Sequence, residues 1–371
     1  MNRPVRAPGL VGLLVVVLAL ATSGCLTTPP EPGQLDRFEY TEPQMGVPFR
    51  IVLYAPGRAE ADEAARAAFA RIAALNAILS DYEFDSELSR LSRTAGSGEA
   101  VPVSLELWLV LERAQELARR SNGAFDVTVG PLVSLWRRAR RDQELPESRR
   151  LEAALAATGW RHLELDSRHR TARLAVPRMR LDLGGIAKGY AVDEALRVLR
   201  ERGVRRALVS GGGDLAVSEP PPGKPGWRIE VPPLEGADAA EPGHVLLRNA
   251  GLATSGDTFQ FVELGGVRYS HIVDPRTGLG LTDHSLVTVI ARDGLTADGL
   301  STALSVQGPA GAAELARRDR AGFRVMRREG NQVQVYENAA FRQHLEPPAA
   351  MDPSEGGGRG TTTDAKDTKA P

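Results

Sequence analysis

Three short stretches of this 371-residue chain carry side chains suited to phosphate and proton chemistry. The first is Leu181-Asp182-Leu183-Gly184-Gly185-Ile186-Ala187-Lys188-Gly189-Tyr190. Alternating Met179, Leu181 and Leu183 read as a strand that carries Asp182 to its end. Two glycines then turn the chain, and Lys188 stands just inside a predicted helix over 187–202. A glycine turn lets backbone approach a ligand, a helix start offers N–H groups to an anion, and lysine adds a point charge. The Walker order, in which serine or threonine follows the lysine, is absent. A plain structural turn would use the same glycines.

The second stretch is Thr296 to Thr302. Asp298 and Thr302 are four apart and share one helical face. A carboxylate and a hydroxyl there suit a hard cation such as Mg²⁺, and Asp298 would serve equally as a helix cap. The third is His271, beside the turn Asp274-Pro275-Arg276-Thr277-Gly278. An imidazole with an ordinary pKa of about 6.5 can take a proton, although the turn has good loop chemistry of its own. The acids of Asp81 to Leu91 read as a solvated loop, and Asn122-Gly123 as a helix stop. Phe125 fits a core position as well as a ligand platform. No HExxH, CxxC or GxSxG pattern is present.

These residues need a frame. Apolar spacing predicts amphipathic helices over 58–80 and 104–121, with Ser104 as an N-cap, and a short one over 151–158. Strands are predicted at 162–166, 171–176, 180–183, 206–210, 227–231, 245–249, 251–255, 259–264, 267–273 and 285–291. Two extended segments flank Gly46-Val47-Pro48, helices follow at 295–306 and 311–318, and a hairpin over 322–327 and 332–337 closes the chain. Helices and antiparallel-looking strands interleave without a βαβ rhythm, which predicts an α+β fold in one large domain over 38–345. The segment 346–371, rich in Pro, Gly, Thr and Lys, is expected to be disordered.

Net charge of −1 and few aromatics give no reason to expect nucleic acid. Arg3 and Arg6 precede an apolar run from Leu10 to Ala21, too short to span a bilayer and fit for a secretory signal. Ala21-Thr22-Ser23-Gly24-Cys25 then resembles a bacterial lipobox, with Thr22 where leucine is usual; cleavage after Ala19-Leu20-Ala21 is the rival reading. Residues 1–25 are thus expected to be a signal, with Cys25 lipidated, and 26–37 a tether. The protein is expected on the periplasmic side, anchored through lipid or soluble, and Leu26 leans towards the outer membrane. Cys25 is the only cysteine, so no internal disulfide forms.

The order of the motifs is more telling than any one of them. Met45-Gly46, Tyr82 with Asp85 to Leu91, Gly123 to Asp126, Asp182 to Tyr190, Gly211 to Asp214, Thr254 to Asp257, His271 to Gly278 and Asp298 to Thr302 run in sequence. Together they resemble the ApbE family of FAD:protein FMN transferases. The resemblance implies an ApbE-type, T-fold-like α+β domain with mixed or antiparallel sheets and packed helices. It implies FAD as substrate, Mg²⁺ as cofactor, and transfer of FMN to a threonine or serine hydroxyl of an extracytoplasmic acceptor flavoprotein, such as Nqr- or Rnf-type subunits, with AMP released. Met45, Tyr82, Ala124, Phe125, Asp126, Asp182, Lys188 and Ile272 match FAD-contacting positions. Gly185 and Ser301 match backbone metal ligands, Asp298 and Thr302 match side-chain metal ligands, and His271 matches a histidine implicated in transfer. A Mg²⁺-dependent FAD pyrophosphatase and a non-catalytic FAD-binding lipoprotein are the alternatives. Departures from the pattern are the extra glycine in Gly211-Gly212-Gly213, Ser301 for a common alanine, and Leu279-Gly280-Leu281 after the Asp-Pro-Arg-Thr-Gly turn.

Overall fold

The computed structural model describes residues 34–234, 243–257 and 260–346. The signal, Cys25, most of the tether and the segment 347–371 lie outside the described residues. The described residues from Leu35 onward form one compact unit. It begins with β1 (Asp36–Gln44), β2 (Val47–Ala55), α1 (Arg58–Leu79), α2 (Glu87–Ser92), β3 (Val101–Pro102), α3 (Leu105–Arg120), α4 (Gly130–Asp142) and α5 (Ser148–Ala156). β4 (Leu163–Asp166), β5 (Thr171–Leu174), α6 (Ala187–Glu201), β6 (Arg206–Gly211), β7 (Asp214–Val217), β8 (Trp227–Val231) and β9 (Gly243–Leu247) follow. The remainder is β10 (Ala250–Gly256), β11 (Phe261–Leu264), β12 (Val267–Ser270), β13 (Ser285–Ala291), α7 (Gly294–Gln307), α8 (Pro309–Arg317), β14 (Gly322–Glu329), β15 (Gln332–Glu337) and α9 (Ala339–Arg342).

Eight strands form the main sheet in the order β1-β2-β6-β7-β10-β13-β14-β15, and every neighbouring pair is antiparallel. Strand side chains alternate between faces, and the sequence uses both. Ile51, Leu53, Ala207 and Val209 point to a core shared with α1, α3, α6 and α7. Val52, Leu208, Leu252 and Ile290 point the other way, where the β8–β9 hairpin and Phe341 cover them. A third cluster joins α4 and α5 to the β11–β12 hairpin through Leu132, Trp136, Ala154 and Val262. The α+β class is as expected.

Local chemistry explains the key elements. Ser104 caps α3 by accepting from Leu107 N–H, and Ser86 caps α2 by accepting from Ser89 N–H. The loop of acids therefore turns into a short helix at Glu87, because Leu88 and Leu91 bury one face. α4 was not foreseen; it starts at Gly130-Pro131, where proline is favoured. The predicted strand at 180–183 is instead an extended segment with a single parallel bridge, Val129 to Arg180. Its backbone is committed elsewhere: Leu181 N–H donates to Ser92 Oγ (3.1 Å) and Asp182 N–H to Val127 O (2.8 Å). Burial of Met179, Leu181 and Leu183 produced the alternation without a ladder. Among the described residues no helix is long and apolar enough to cross a membrane.

Candidate active site

α6 and α7 cross at a pair of glycines, and this crossing builds the site. A Cβ on Gly189 would fall 2.6 Å from Gly294 C and 2.7 Å from Asp298 Cβ, so only glycine permits the approach. Asp193 on α6 fastens it by accepting from Gly294 N–H (2.8 Å) and Leu295 N–H (2.9 Å). α7 is capped by Asp293, which accepts from Thr296 N–H (2.7 Å). Asp298 is therefore not the cap. It is buried one turn further on, where its Oδ2 accepts from Gly189 N–H (3.0 Å).

Lys188 enters the same space. Its Nζ lies 2.6 Å from Asp214 Oδ2 and 4.0 Å from Asp298 Oδ2. Its stem passes Gly212, where a Cβ would sit 3.2 Å from Lys188 Cε and from Val47. The β1–β2 turn, with Met45 and Gly46 at positive φ, thus reaches the lysine through Val47. Burial pushes the carboxyls of Asp214 and Asp298 upward, and Asp214 rises to about 7. Lys188 resists burial because the two carboxylates hold its pKa above the ordinary lysine value. One cation thus serves two buried carboxyls.

The helix start does not present a row of free amides. Ala187 N–H donates to Leu183 O (2.9 Å) and Gly189 N–H to Asp298, so the positive charge at this helix start is the Lys188 ammonium rather than a set of open amides. Asp182 receives Gly184 N–H on Oδ1 (2.8 Å) and Arg137 Nη2 on Oδ2 (3.0 Å). Arg137 also pairs with Asp81 and lies under the Tyr82 ring, 4.1 Å from its centroid. Tyr82 itself is 76% exposed and free to meet a ligand.

Asp126 does structural work in this arrangement. Its Oδ1 accepts from Thr128 N–H and Oγ1 (2.8 and 2.7 Å), and its Oδ2 from Trp160 N–H (2.7 Å). Phe125 and Ala124 are buried, Phe125 within the main core. Their loop supports Asp182 from below through Val127 O.

His271 follows β12. Both its backbone N–H (3.0 Å) and its Nδ1 (3.1 Å) approach Gln260 O. A carbonyl can only accept, so Nδ1 carries the proton and Nε2 keeps the lone pair. Burial, then the charges of Arg140 and Lys188, hold the His271 pKa below its ordinary value. Ile272 beside it is buried, its N–H bound to Ser270 Oγ (3.1 Å). Behind lies Asp257, paired with Arg268 (2.7 Å) and His284 (2.8 Å).

The expected metal donors gather in part. A Cβ on Gly185 would meet Thr302 Oγ1 at 2.8 Å, so the glycine leaves a cradle beside that hydroxyl. Among the described residues Asp298 Oδ1 accepts no hydrogen bond, Oδ2 being the oxygen that meets Gly189 N–H, and Thr302 stands one turn further along α7. The Ser301 carbonyl already accepts from Ser305 Oγ (2.9 Å), while its hydroxyl bonds Asp298 O and Ser255 Oγ. Among the described residues no three His, Cys, Asp or Glu side chains converge as a metal site. The expected set needs only one carboxylate, and a buried acidic excess beside an open hydroxyl fits a hard cation. Asp214, Arg137 and Arg140 were not singled out as site residues; the Gly211-to-Asp214 motif was the available signal for the first, and the unforeseen α4 hid the others.

The glycine-crossed helices of this antiparallel α+β fold thus bring the part-buried Lys188 between two buried carboxyls, within electrostatic reach of the tautomer-fixed His271. The ApbE family model matches residues 45–326, and the chain belongs to that family. A FAD:protein FMN transferase of Haemophilus influenzae is 35% identical over 280 residues, 73% of this chain and 80% of the relative. One from Klebsiella pneumoniae is 32% identical over 332 residues, 87% of this chain and 94% of the relative. The flavin transferase ApbE from Vibrio cholerae superposes with a TM-score of 0.77 at 30% identity, covering 84% of this chain and all (100%) of the other. The apo flavinyl transferase ApbE of Pseudomonas stutzeri gives 0.74 at 31% identity, covering 84% and 98%.

Proposed function

We propose that this chain moves the FMN half of FAD onto a threonine or serine hydroxyl of an extracytoplasmic acceptor flavoprotein, with Mg²⁺, and releases AMP. Family membership and the named relatives support flavin transfer. The observation that supports the finer reading is His271, with Nε2 unprotonated, within electrostatic reach of Lys188 in the Lys188–Asp214–Asp298 centre.

The acceptor oxygen attacks the FMN phosphorus, its proton passes to His271 Nε2, and the P–O bond to the AMP phosphate breaks. Lys188 offsets the charge that gathers on the leaving phosphate. Asp298, Thr302 and the Gly185 backbone would hold Mg²⁺, which supplies charge neutralisation at the pyrophosphate when bound. Asp214 holds Lys188 in place. Tyr82, fixed over Arg137, offers a ring face to a flat ring of FAD, and Asp182 fixes the Gly184-Gly185 turn. A signal with lipidated Cys25 would put this chemistry at a periplasmic membrane surface.

The test is a mass spectrum of a candidate acceptor domain after incubation with the protein, FAD and Mg²⁺. One added FMN on a threonine or serine, with AMP released, is the expected result. AMP and free FMN with unmodified acceptors would favour the pyrophosphatase, and no AMP at all would favour the storage protein.

A further inference from the structure

The positive charge on α4 is unevenly matched. Arg137 meets two carboxylates, Asp81 and Asp182. Arg140, one turn on, makes no ion pair among the described residues. Among the described residues its only side-chain hydrogen-bond partner is the neutral Gln260 Oε1, at 3.5 Å. Gln260 is the residue whose carbonyl receives Nδ1 of His271. α4 is not free to swing away, since Trp136 Nε1 donates to Gly278 O (2.8 Å) and its ring packs 5.0 Å from Tyr269. Arg140 is therefore a half-buried guanidinium, without a carboxylate partner among the described residues, held one residue from the candidate base.

Burial and the neighbouring Arg137 both work against its charge, and its charge in turn is felt at His271. An incoming anion would relieve both. The substrate phosphates have their own cation in Lys188, at the Asp298 side. The acceptor hydroxyl must arrive where Nε2 of His271 can reach it, and Arg140 is close enough to this histidine, through Gln260, for its charge to be felt there. A guanidinium also forms paired hydrogen bonds to a carboxylate, a geometry that lysine cannot reproduce.

We propose that Arg140 is a specificity-determining residue that pairs with an aspartate or glutamate flanking the acceptor threonine or serine. This rests on the flavin-transfer reading and adds to it a charge preference for the acceptor segment.

The probe is a pair of short synthetic peptides with a central threonine, differing only in whether the flanking residues are Asp or Asn. Binding to the protein loaded with FAD is measured by fluorescence anisotropy, and FMN transfer by mass spectrometry. The wild-type protein should prefer the Asp peptide about tenfold in both readouts, the size expected of one charge-assisted pair in a half-buried place. In Arg140→Gln that ratio should fall to about one, and Arg140→Lys should keep part of it. Because the ratio is internal to each variant, a general loss of stability does not alter it. A wild-type ratio near one, or a tenfold ratio that survives Arg140→Gln, overturns the proposal. A higher FAD dissociation constant in Arg140→Gln with no change in peptide ratio would assign the guanidinium to the substrate phosphates instead. If neither peptide is modified and no AMP appears, the flavin-transfer reading fails, while the binding ratio still decides the role of Arg140.

Discussion

Gly189→Ala is the sharpest probe of how the site is built. Alanine would gain up to about 1 kcal/mol of helix propensity at this position. Against that, its methyl carbon would sit 2.6 Å from Gly294 C and 2.7 Å from Asp298 Cβ, close also to the Gly294 carbonyl oxygen. These are mostly backbone atoms, which cannot rotate aside, so overpacking reaches the upper end of its range, about 3 kcal/mol. Separating the helices also stretches the bond from Gly189 N–H to the buried Asp298 carboxylate, a charge-assisted bond worth about 2 kcal/mol. The net expectation is a loss of about 4 kcal/mol, or roughly 10 °C in melting temperature for a domain of this size. Flavin transfer should fall at least about a hundredfold even at a temperature where the variant stays folded, because Asp298 and Lys188 part company. The assay pairs a thermal melt with FMN transfer to an acceptor, both with Mg²⁺. A melting temperature within about 2 °C of wild type together with full activity would refute the glycine crossing as the organiser of the site.

Gly185→Ala should separate site from stability: its methyl would meet Thr302 Oγ1 at 2.8 Å at a half-exposed turn, so the melt should move little while the Mg²⁺ concentration for half-maximal activity rises about tenfold. An unchanged Mg²⁺ titration would remove Gly185 and Thr302 from the metal set. Asp298→Asn should abolish transfer yet hold or raise the melting temperature, since burial already disfavours the carboxylate; full activity at ordinary Mg²⁺ would contradict the ligand role. For His271, burial and two nearby cations lower the pKa, and only the neutral ring accepts a proton. Activity should therefore be flat at neutral pH and decline only below about 6.5, and the acid limb of kcat/KM should move upward in Arg140→Gln. A limb above that value in the wild type would exclude His271 as the base.

Much of the frame was legible because burial follows period. Trp227–Val231 and Ser285–Ala291 alternate or fill their strands completely, and α1 and α3 carry apolar residues every three or four positions. The failures have local causes. Met179, Leu181 and Leu183 alternate because three side chains enter the core, yet a ladder needs a neighbouring strand, and among the described residues this segment has only the single bridge to Val129. β7 is four residues after a glycine triplet, too short for any period to register. In α4 the spacing of Leu132, Trp136 and Ala139 was present, but the glycine, proline and run of arginines masked it. The motif order located the residues that share a backbone turn, such as Gly184, Gly185 and Lys188. It could not reveal Arg137 and Arg140, whose place beside Tyr82 and Gln260 depends on a helix docking from elsewhere in the chain. Nor could it show that Asp126 spends one carboxylate oxygen on Thr128 in its own loop and the other on the distant Trp160 N–H.

The strand order also sets a timetable for folding. β2 lies between β1 and β6, with Val52 opposite Leu208, and α1 to α6 all intervene along the chain. Until β6 is available, the β1–β2 hairpin has an open hydrogen-bonding edge, and Phe49, Ile51 and Leu53 lack the strand that completes their layer. Closing so long a loop is entropically slow, so this protein should refold with a late sheet-completing step rather than in one fast phase. A nascent or truncated chain lacking β6 would expose an adhesive hairpin, and a deletion ending before Arg206 should aggregate rather than yield a smaller folded unit.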